Sequence, residues 1–204
     1  MEGGKQYFHF RGETTRLDEE LNIQRCSHMI NPDLQCKKRV EIGLDLCWIH
    51  LLKIKHLRIK SSNIAGKGLF AEDPSKGPNS IIFRKGSEIC KYNGEIINDV
   101  VRRERYGNNT GPYIFQTSVR NRIYEDGALH RGVGSLMNHT GQVNRQNAAL
   151  KSRSTIATNH ITEGYVKAIK DIRNGREILT TYGESYNLDE INTRNGTNRK
   201  KYNV

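Results

Sequence analysis

Two short pairs constrain this chain more than anything else in it: Asn138-His139, and Tyr182-Gly183 at the end of an apolar, strand-like run. Neither says much alone, since a polar pair in a loop and a tyrosine closing a strand are both ordinary features of protein cores. Upstream of them stand Ala65-Gly66-Lys67-Gly68-Leu69-Phe70-Ala71 and Tyr92-Asn93-Gly94-Glu95. Taken singly these are a glycine turn and a core tyrosine before a turn. Four such motifs in this order and at these intervals are hard to produce by chance.

The sequence between the motifs reads as many short strands punctuated by Gly, Pro and Asn. Leu57-Arg58-Ile59-Lys60-Ser61 alternates apolar and polar, the period of a half-buried strand. Further strands are expected at 80–83, 88–92, 113–117, 122–124, 148–151, 165–168 and 177–180, and helices only near 99–105, around Leu136 and at 51–56. Cys90, inside one of the strands, reads as a small core residue. The pattern implies a mainly β fold, a β-rich α+β arrangement of several small sheets. We divide the chain into an N-terminal segment, 1–25, with a short helix expected at 18–21; a small module, 26–56; a main domain, 57–186; and a basic tail, 187–204, poor in apolar residues.

Three of the four cysteines, Cys26, Cys36 and Cys47, fall in the small module with His50, in the spacing C-x9-C-x10-C-x2-H. A tetrahedral zinc ion takes four such ligands, and Cys3His is one of its ordinary structural sets. Cys47 and His50 share one helical turn, while Asn31-Pro32-Asp33 and Gly43 supply the turns a loop-rich knuckle needs. His28 is an alternative for one ligand, and unconnected reduced thiols are the alternative to the whole site. With four protein ligands such a site is structural, leaving no open position for chemistry. The module is similar to short CxxH-closed modules attached to enzymes of large DNA viruses and some protists.

The four motifs together resemble those of the SET-domain protein-lysine methyltransferases, over residues 57–186. The resemblance implies a fold in which a C-terminal segment is threaded beneath the Asn-His loop as a pseudoknot. It implies S-adenosylmethionine as cofactor, held by Gly66, Lys67, Gly68 and Leu69, by Asn138 and His139, and by Tyr182, with Lys67 available to a ligand carboxylate. Tyr182 is the implied catalytic tyrosine and Tyr92 a second wall of the methyl-transfer channel. The third motif departs from the family pattern: Ser135 stands where an arginine is usual, the following Cys and Pro are missing, and a longer loop aligns the final Asn with Asn147. No cysteine follows Cys90, so Tyr186 and the tail are expected to close the lysine channel. Thr180, two residues before Tyr182, replaces the usual Phe or Tyr; with Leu150 apolar, the channel has room for di- or trimethyl-lysine unless Tyr113 or Tyr186 narrows it.

Methyl transfer to an amine is an in-line displacement that needs alignment and exclusion of water. A lysine amine, with an ordinary pKa of about 10.4, is favoured in its neutral form by a narrow apolar channel beside a positive sulfonium, and no carboxylate base is required. The implied substrate is a protein lysine, on histones or nucleosomes in chromatin by family analogy. Lys and Arg number 33 against 22 acids, a net charge of +11 that favours an anionic environment, including nucleic acid. Two other readings follow from the same residues: a catalytically inactive SET-like binding module, and a zinc-knuckle nucleic-acid-binding protein. No apolar run is long enough for a membrane span, and Met1-Glu2-Gly3-Gly4-Lys5 begins no signal peptide, so an intracellular location is expected, in nucleus or cytoplasm, or in host cell or virion if the source is viral.

Overall fold

The computed structural model describes residues 7–10, 13–16, 24–40, 43–107, 111, 113–128, 130–154 and 162–182. The expected helix at 18–21, Gly183, Tyr186 and the tail lie outside these residues. Strands dominate, in small sheets of two or three, as the punctuated sequence requires. No helix among the described residues is long and apolar enough to cross a membrane.

Leu57–Ser61 pairs antiparallel with Lys67–Ala71, placing the glycine loop at their turn. A second sheet sets Glu88–Lys91 and Ala148–Ser154 on either side of Thr162–Ala168. The third places Ile123–Asp126 between Glu95–Asn98 and Ile114–Ser118. Glu95–Asn98 is a strand that the sequence pattern does not announce. Only Ile97 faces the core there, while Ile96 is exposed, so a four-residue strand offers a single buried position and no visible period. The helix Asp99–Tyr106 follows directly, its first turn capped by the Asn98 side chain, which accepts from the Val101 N–H at 3.0 Å. Around Leu136 the chain forms a 3-10 turn, Val133–Leu136.

The core gathers Leu57, Leu69, Ala71, Ile89, Val166 and Ile178 from these sheets. Leu51, from the helix Trp48–Lys55, enters the same core, and Leu46 packs against both it and the cysteine cluster of the small module. The module is therefore continuous with the main domain through apolar contact.

Residues 175–180 run between two neighbours. On one side Gly175 N–H donates to Ala71 O, Arg176 O accepts from Ala71 N–H, and Ile178 N–H donates to Leu69 O at 2.7 Å. On the other, Leu179–Thr180 lies parallel to Asn138–His139, and Thr140 N–H donates to Thr180 O at 2.9 Å. This is the threaded segment. Asn147 clamps it with both ends of one amide: Nδ2 donates to Glu177 O at 2.8 Å, and Oδ1 accepts from Leu179 N–H at 2.9 Å. Two-residue strands have little stability of their own, so the clamp matters. We expect Asn147→Ala to lower unfolding free energy by about 1–3 kcal/mol, because it strands a partly buried N–H and carbonyl; a chemical-denaturation midpoint equal to that of the wild type would show the clamp to be dispensable.

Candidate active site and zinc centre

The loop at the turn of the first hairpin is built from main-chain bonds. Ser62 N–H donates to Gly66 O at 2.9 Å, and the Ser62 hydroxyl oxygen accepts from Ile64 N–H at 2.9 Å. Gly66 takes a positive φ of 47°, and the space where its side chain would lie is open. Gly68 is the opposite case: a Cβ there would overlap the Glu177 carboxylate and the Asn138 amide. Asn138 Nδ2 donates to Ala65 O at 3.1 Å, Lys67 O at 3.3 Å and Glu177 Oε1 at 2.8 Å, two hydrogens shared among three acceptors. The amide thus ties the glycine loop to the threaded segment. Lys67 is exposed at the loop's edge, whereas Leu69 is a fully buried core residue whose carbonyl is taken by Ile178. Its side chain packs the core behind the loop instead of lining the open face.

The threaded segment delivers Tyr182. Its main-chain N–H donates to His139 Nδ1 at 3.1 Å, and the two rings lie 5.2 Å apart between centroids. Burial holds the His139 imidazole below its ordinary value, so it is neutral, with Nδ1 an acceptor and the proton on Nε2. The Tyr182 hydroxyl donates to Met137 O at 2.5 Å. Burial, then the neighbouring Tyr113, pushes this phenol well above the ordinary tyrosine range, so it stays protonated. Tyr92, also buried, donates its hydroxyl to Tyr113 O at 2.7 Å and packs its ring 5.7 Å from Phe115. The Arg131 guanidinium covers the Tyr113 ring at 4.2 Å.

Tyr92, Tyr113 and Tyr182 are thereby gathered into one neighbourhood. Thr180 is buried beside His139 in the parallel pair. Leu150 lies opposite Val166 in the second sheet and packs against the core. Ser135 donates its hydroxyl to Gly132 O at 2.8 Å within the 3-10 turn, so the departure from arginine leaves no unsatisfied group. Cys90 packs against the same core, where burial pushes its thiol up to about 12.

The protein-family model of the SET domain matches residues 66–183, more than half of the chain. The chain belongs to the SET-domain family. Among solved structures, it is similar to a chain in an active polycomb repressive complex 2 in the stimulated state, at 24% identity and a TM-score of 0.51, over 65% of this chain and 16% of that one. Others are ctPRC2 in an autoinhibited conformation bound to S-adenosylmethionine (27% identity, TM-score 0.48, 69% of this chain and 17% of that one) and CpSET8 from Cryptosporidium (22%, 0.46, 65% and 59%). The first of these shows a shared fold. The chain spans about a sixth of the length of the polycomb chains it matches. No curated protein sequence matches it.

Three acids that sequence patterns did not single out organise this SET domain. Asp126, fully buried, accepts from the Tyr106 hydroxyl at 2.7 Å, Arg105 Nη1 at 2.9 Å and Ala128 N–H at 2.9 Å. Arg105 also grips both oxygens of Glu95, at 2.8 and 3.0 Å. Beside it, buried Glu125 accepts from the main chain of Gly164 and of Gly94, which pins the Tyr92-Asn93-Gly94 turn to the second sheet. Burial raises the Glu125 carboxyl above its ordinary range despite these donors. Glu177 is the third, through Asn138. Two adjacent acids inside a strand are the signal that could have found the first pair, because alternation would place only one of them in solvent.

The Cys3His cluster of the small module is assembled. The ligand atoms of Cys26, Cys36, Cys47 and His50 all lie within 4.8 Å of one another. His50 Nδ1 is 3.3 Å from Cys26 Sγ and 3.4 Å from Cys47 Sγ. Zinc with thiolate at about 2.3 Å and imidazole at about 2.0–2.1 Å gives tetrahedral edges of about 3.6 Å, so the donor set fits that ion. His28 stands outside the set and packs tilted against the His50 ring, 3.9 Å between centroids. All four positions are protein, so zinc there would hold the module together without contributing to chemistry.

Two outcomes are expected. Freshly purified protein contains one equivalent of zinc by metal analysis, and Cys47→Ser lowers thermal stability; metal-free protein with unchanged stability would refute the site. His139 supplies the second. Its folded value lies below the unfolded 6.5, so its contribution is intact above that pH and is lost as pH falls through the depressed value. Thermal unfolding of zinc-saturated protein should therefore lose stability on acidification more steeply in the wild type than in His139→Gln, and parallel curves would remove His139 from the account.

Proposed function

We propose that this SET domain is an S-adenosylmethionine-dependent methyltransferase acting on lysine side chains of proteins, with histones and nucleosomes the first substrates to test. The observation that carries the reading is Tyr182: its main chain is fixed by His139, its hydroxyl is directed at Met137 O, and Tyr113, whose carbonyl holds the Tyr92 hydroxyl, stands beside it.

The residues present fit the cofactor. Gly66 leaves an open face on a loop whose carbonyls at Ala65 and Lys67 are held from below by Asn138, and exposed Lys67 can meet a carboxylate. The main chain of 64–68, Lys67, His139 and Tyr182 would hold it. When bound, S-adenosylmethionine supplies an electrophilic methyl group.

The protein's own part is to present a neutral amine in line. Tyr182 is held protonated with its hydrogen toward Met137, so its oxygen meets the lysine amine as an acceptor and fixes the direction of the nitrogen lone pair. Exclusion of water from the site disfavours the charged ammonium form, so the amine would give its proton to solvent on entry and no carboxylate base is needed. Thr180 is smaller than the Phe or Tyr usual at its position, and on this reading the enzyme adds more than one methyl group. On this reading the protein works inside the cell, in nucleus or cytoplasm, or in host cell or virion if its source is viral.

Tyr182→Phe removes one hydroxyl and almost no volume. We expect it to abolish methyl transfer, assayed with labelled cofactor on histones and nucleosomes, while calorimetric cofactor affinity stays within a few-fold. Wild-type turnover in that variant would sink the assignment. Cofactor binding with no turnover by the wild type on any substrate would favour the inactive binding module instead.

A further inference from the structure

The zinc module carries a surface that methyl transfer does not use. Trp48, the single tryptophan of the protein, sits in the first turn of the helix Trp48–Lys55 with 69% of its surface exposed. It adds little to the core. Lys38 Nζ lies 5.9 Å from the centre of its ring. Lys38 belongs to an exposed run, Lys37-Lys38-Arg39, that follows the zinc-ligand position Cys36. Arg39 stands directly opposite Arg25 in the strand pair, and like charges so placed repel. Lys53 and Lys55 extend the charge along the helix.

Part of the main domain's charge is paired. There, Arg58 and Lys60 share Glu72, Arg105 pairs with Glu95 and Asp126, and Arg153 with Glu88 and Glu163. Among the described residues, none of Arg25, Lys37, Lys38, Arg39, Lys53 or Lys55 forms an ion pair, and the only acids in the described part of the module are Asp33 and Asp45. Lys67, Arg84 and Arg176 of the main domain are likewise without an ion pair among the described residues; what distinguishes the module is that its unpaired run stands beside the protein's single tryptophan. An unneutralised basic run next to an exposed indole suits a ligand that brings phosphates and flat rings together.

We propose that the zinc module binds single-stranded nucleic acid, with a base stacked on Trp48 and backbone phosphates on Lys37, Lys38, Arg39 and Arg25. A single strand fits better than a duplex because paired bases hide the faces that an indole stacks on, and aromatic stacking beside a basic track is how such strands are held. Exposed Met29 and Ile30, on the strand Met29–Asn31 that pairs with Leu34–Gln35, would suit a protein partner, but the basic run beside an indole favours a polyanion that carries bases. This proposal stands independently of the methyl-transfer reading.

The single tryptophan makes the test direct. Zinc-loaded full chain is titrated with a short oligothymidylate while Trp emission is followed, and labelled oligothymidylate is used in parallel for anisotropy. We expect saturable quenching, with affinity falling as salt rises by about 0.7 in logarithmic slope for each phosphate contacted. Trp48→Ala should weaken anisotropy binding about ten-fold or more, Trp48→Phe less, since a phenyl ring still stacks. Lys37→Gln, Lys38→Gln and Arg39→Gln together, in protein that retains its zinc, should reduce both affinity and salt slope. Undiminished binding by these variants would overturn the proposal. So would unchanged Trp emission at saturation, tighter binding of duplex than of single strand, or equal binding of heparin or polyglutamate, polyanions that carry no bases.

Discussion

The segment 175–182 is held by partners that are remote in sequence, and both the fold and the site depend on that grip. Its main chain bonds to Leu69 and Ala71 on one side and to the Asn138-His139-Thr140 stretch on the other. Neither contact is long enough to stand alone, since one is a two-residue parallel pair and the other is outside a regular ladder. Side-chain amides make up the difference. Asn147 satisfies a carbonyl and an N–H of the segment, and Asn138 reaches Glu177 while holding the glycine loop. The same bonds place Tyr182 and leave the outer face of the Gly66 loop open. A change that loosens the segment must therefore cost stability and site geometry together.

Buried acids support the other wall. Asp126 and Glu125 are removed from water, which is tolerable only because each is fully engaged with donors. Asp126 fastens the helix Asp99–Tyr106 to the third sheet through Tyr106 and Arg105. The neighbouring Gly127 N–H donates to Tyr113 O at 2.9 Å, the same carbonyl that receives the Tyr92 hydroxyl. One carbonyl thus joins the acid-bearing strand to two tyrosines of the site. Because that network is polar and satisfied, it fixes a single arrangement where apolar packing alone would permit several.

Much of this was legible in the sequence, and the exceptions share a cause. Most strands of the main domain were visible because Gly, Pro and Asn interrupt them, whereas Tyr7–Phe10, Glu13–Arg16 and Lys67–Ala71 were not, and the Cys3His donors were visible because soft donors of that kind rarely cluster. Tyr182, Asn138 and His139 stood out through their order along the chain. Glu95–Asn98 escaped because only Ile97 shows its inward face. Leu69 could be placed in the glycine motif but not on the buried side of it, since a motif gives neighbours in sequence and burial is settled by the segment 175–180 arriving from far away. Asp126, Glu125 and Glu177 were hidden for the same reason: an acid looks solvated until its partners, distant in sequence, are known.

The small module shows how far a local constraint reaches. Cys47 and His50 belong to the start of the helix that ends in Lys55, and Leu51 of that helix is part of the SET core, while Leu46 touches both clusters. Four zinc ligands drawn from residues 26–50 would order a stretch with too few buried side chains to order itself, and the ordered helix then contributes an apolar residue to its neighbour. Metal bound there would therefore act on the main domain through packing and not through chemistry. Since the ligands need only inward-facing donors, the outward positions between them, Lys37 to Arg39 and Trp48, are not required by the core.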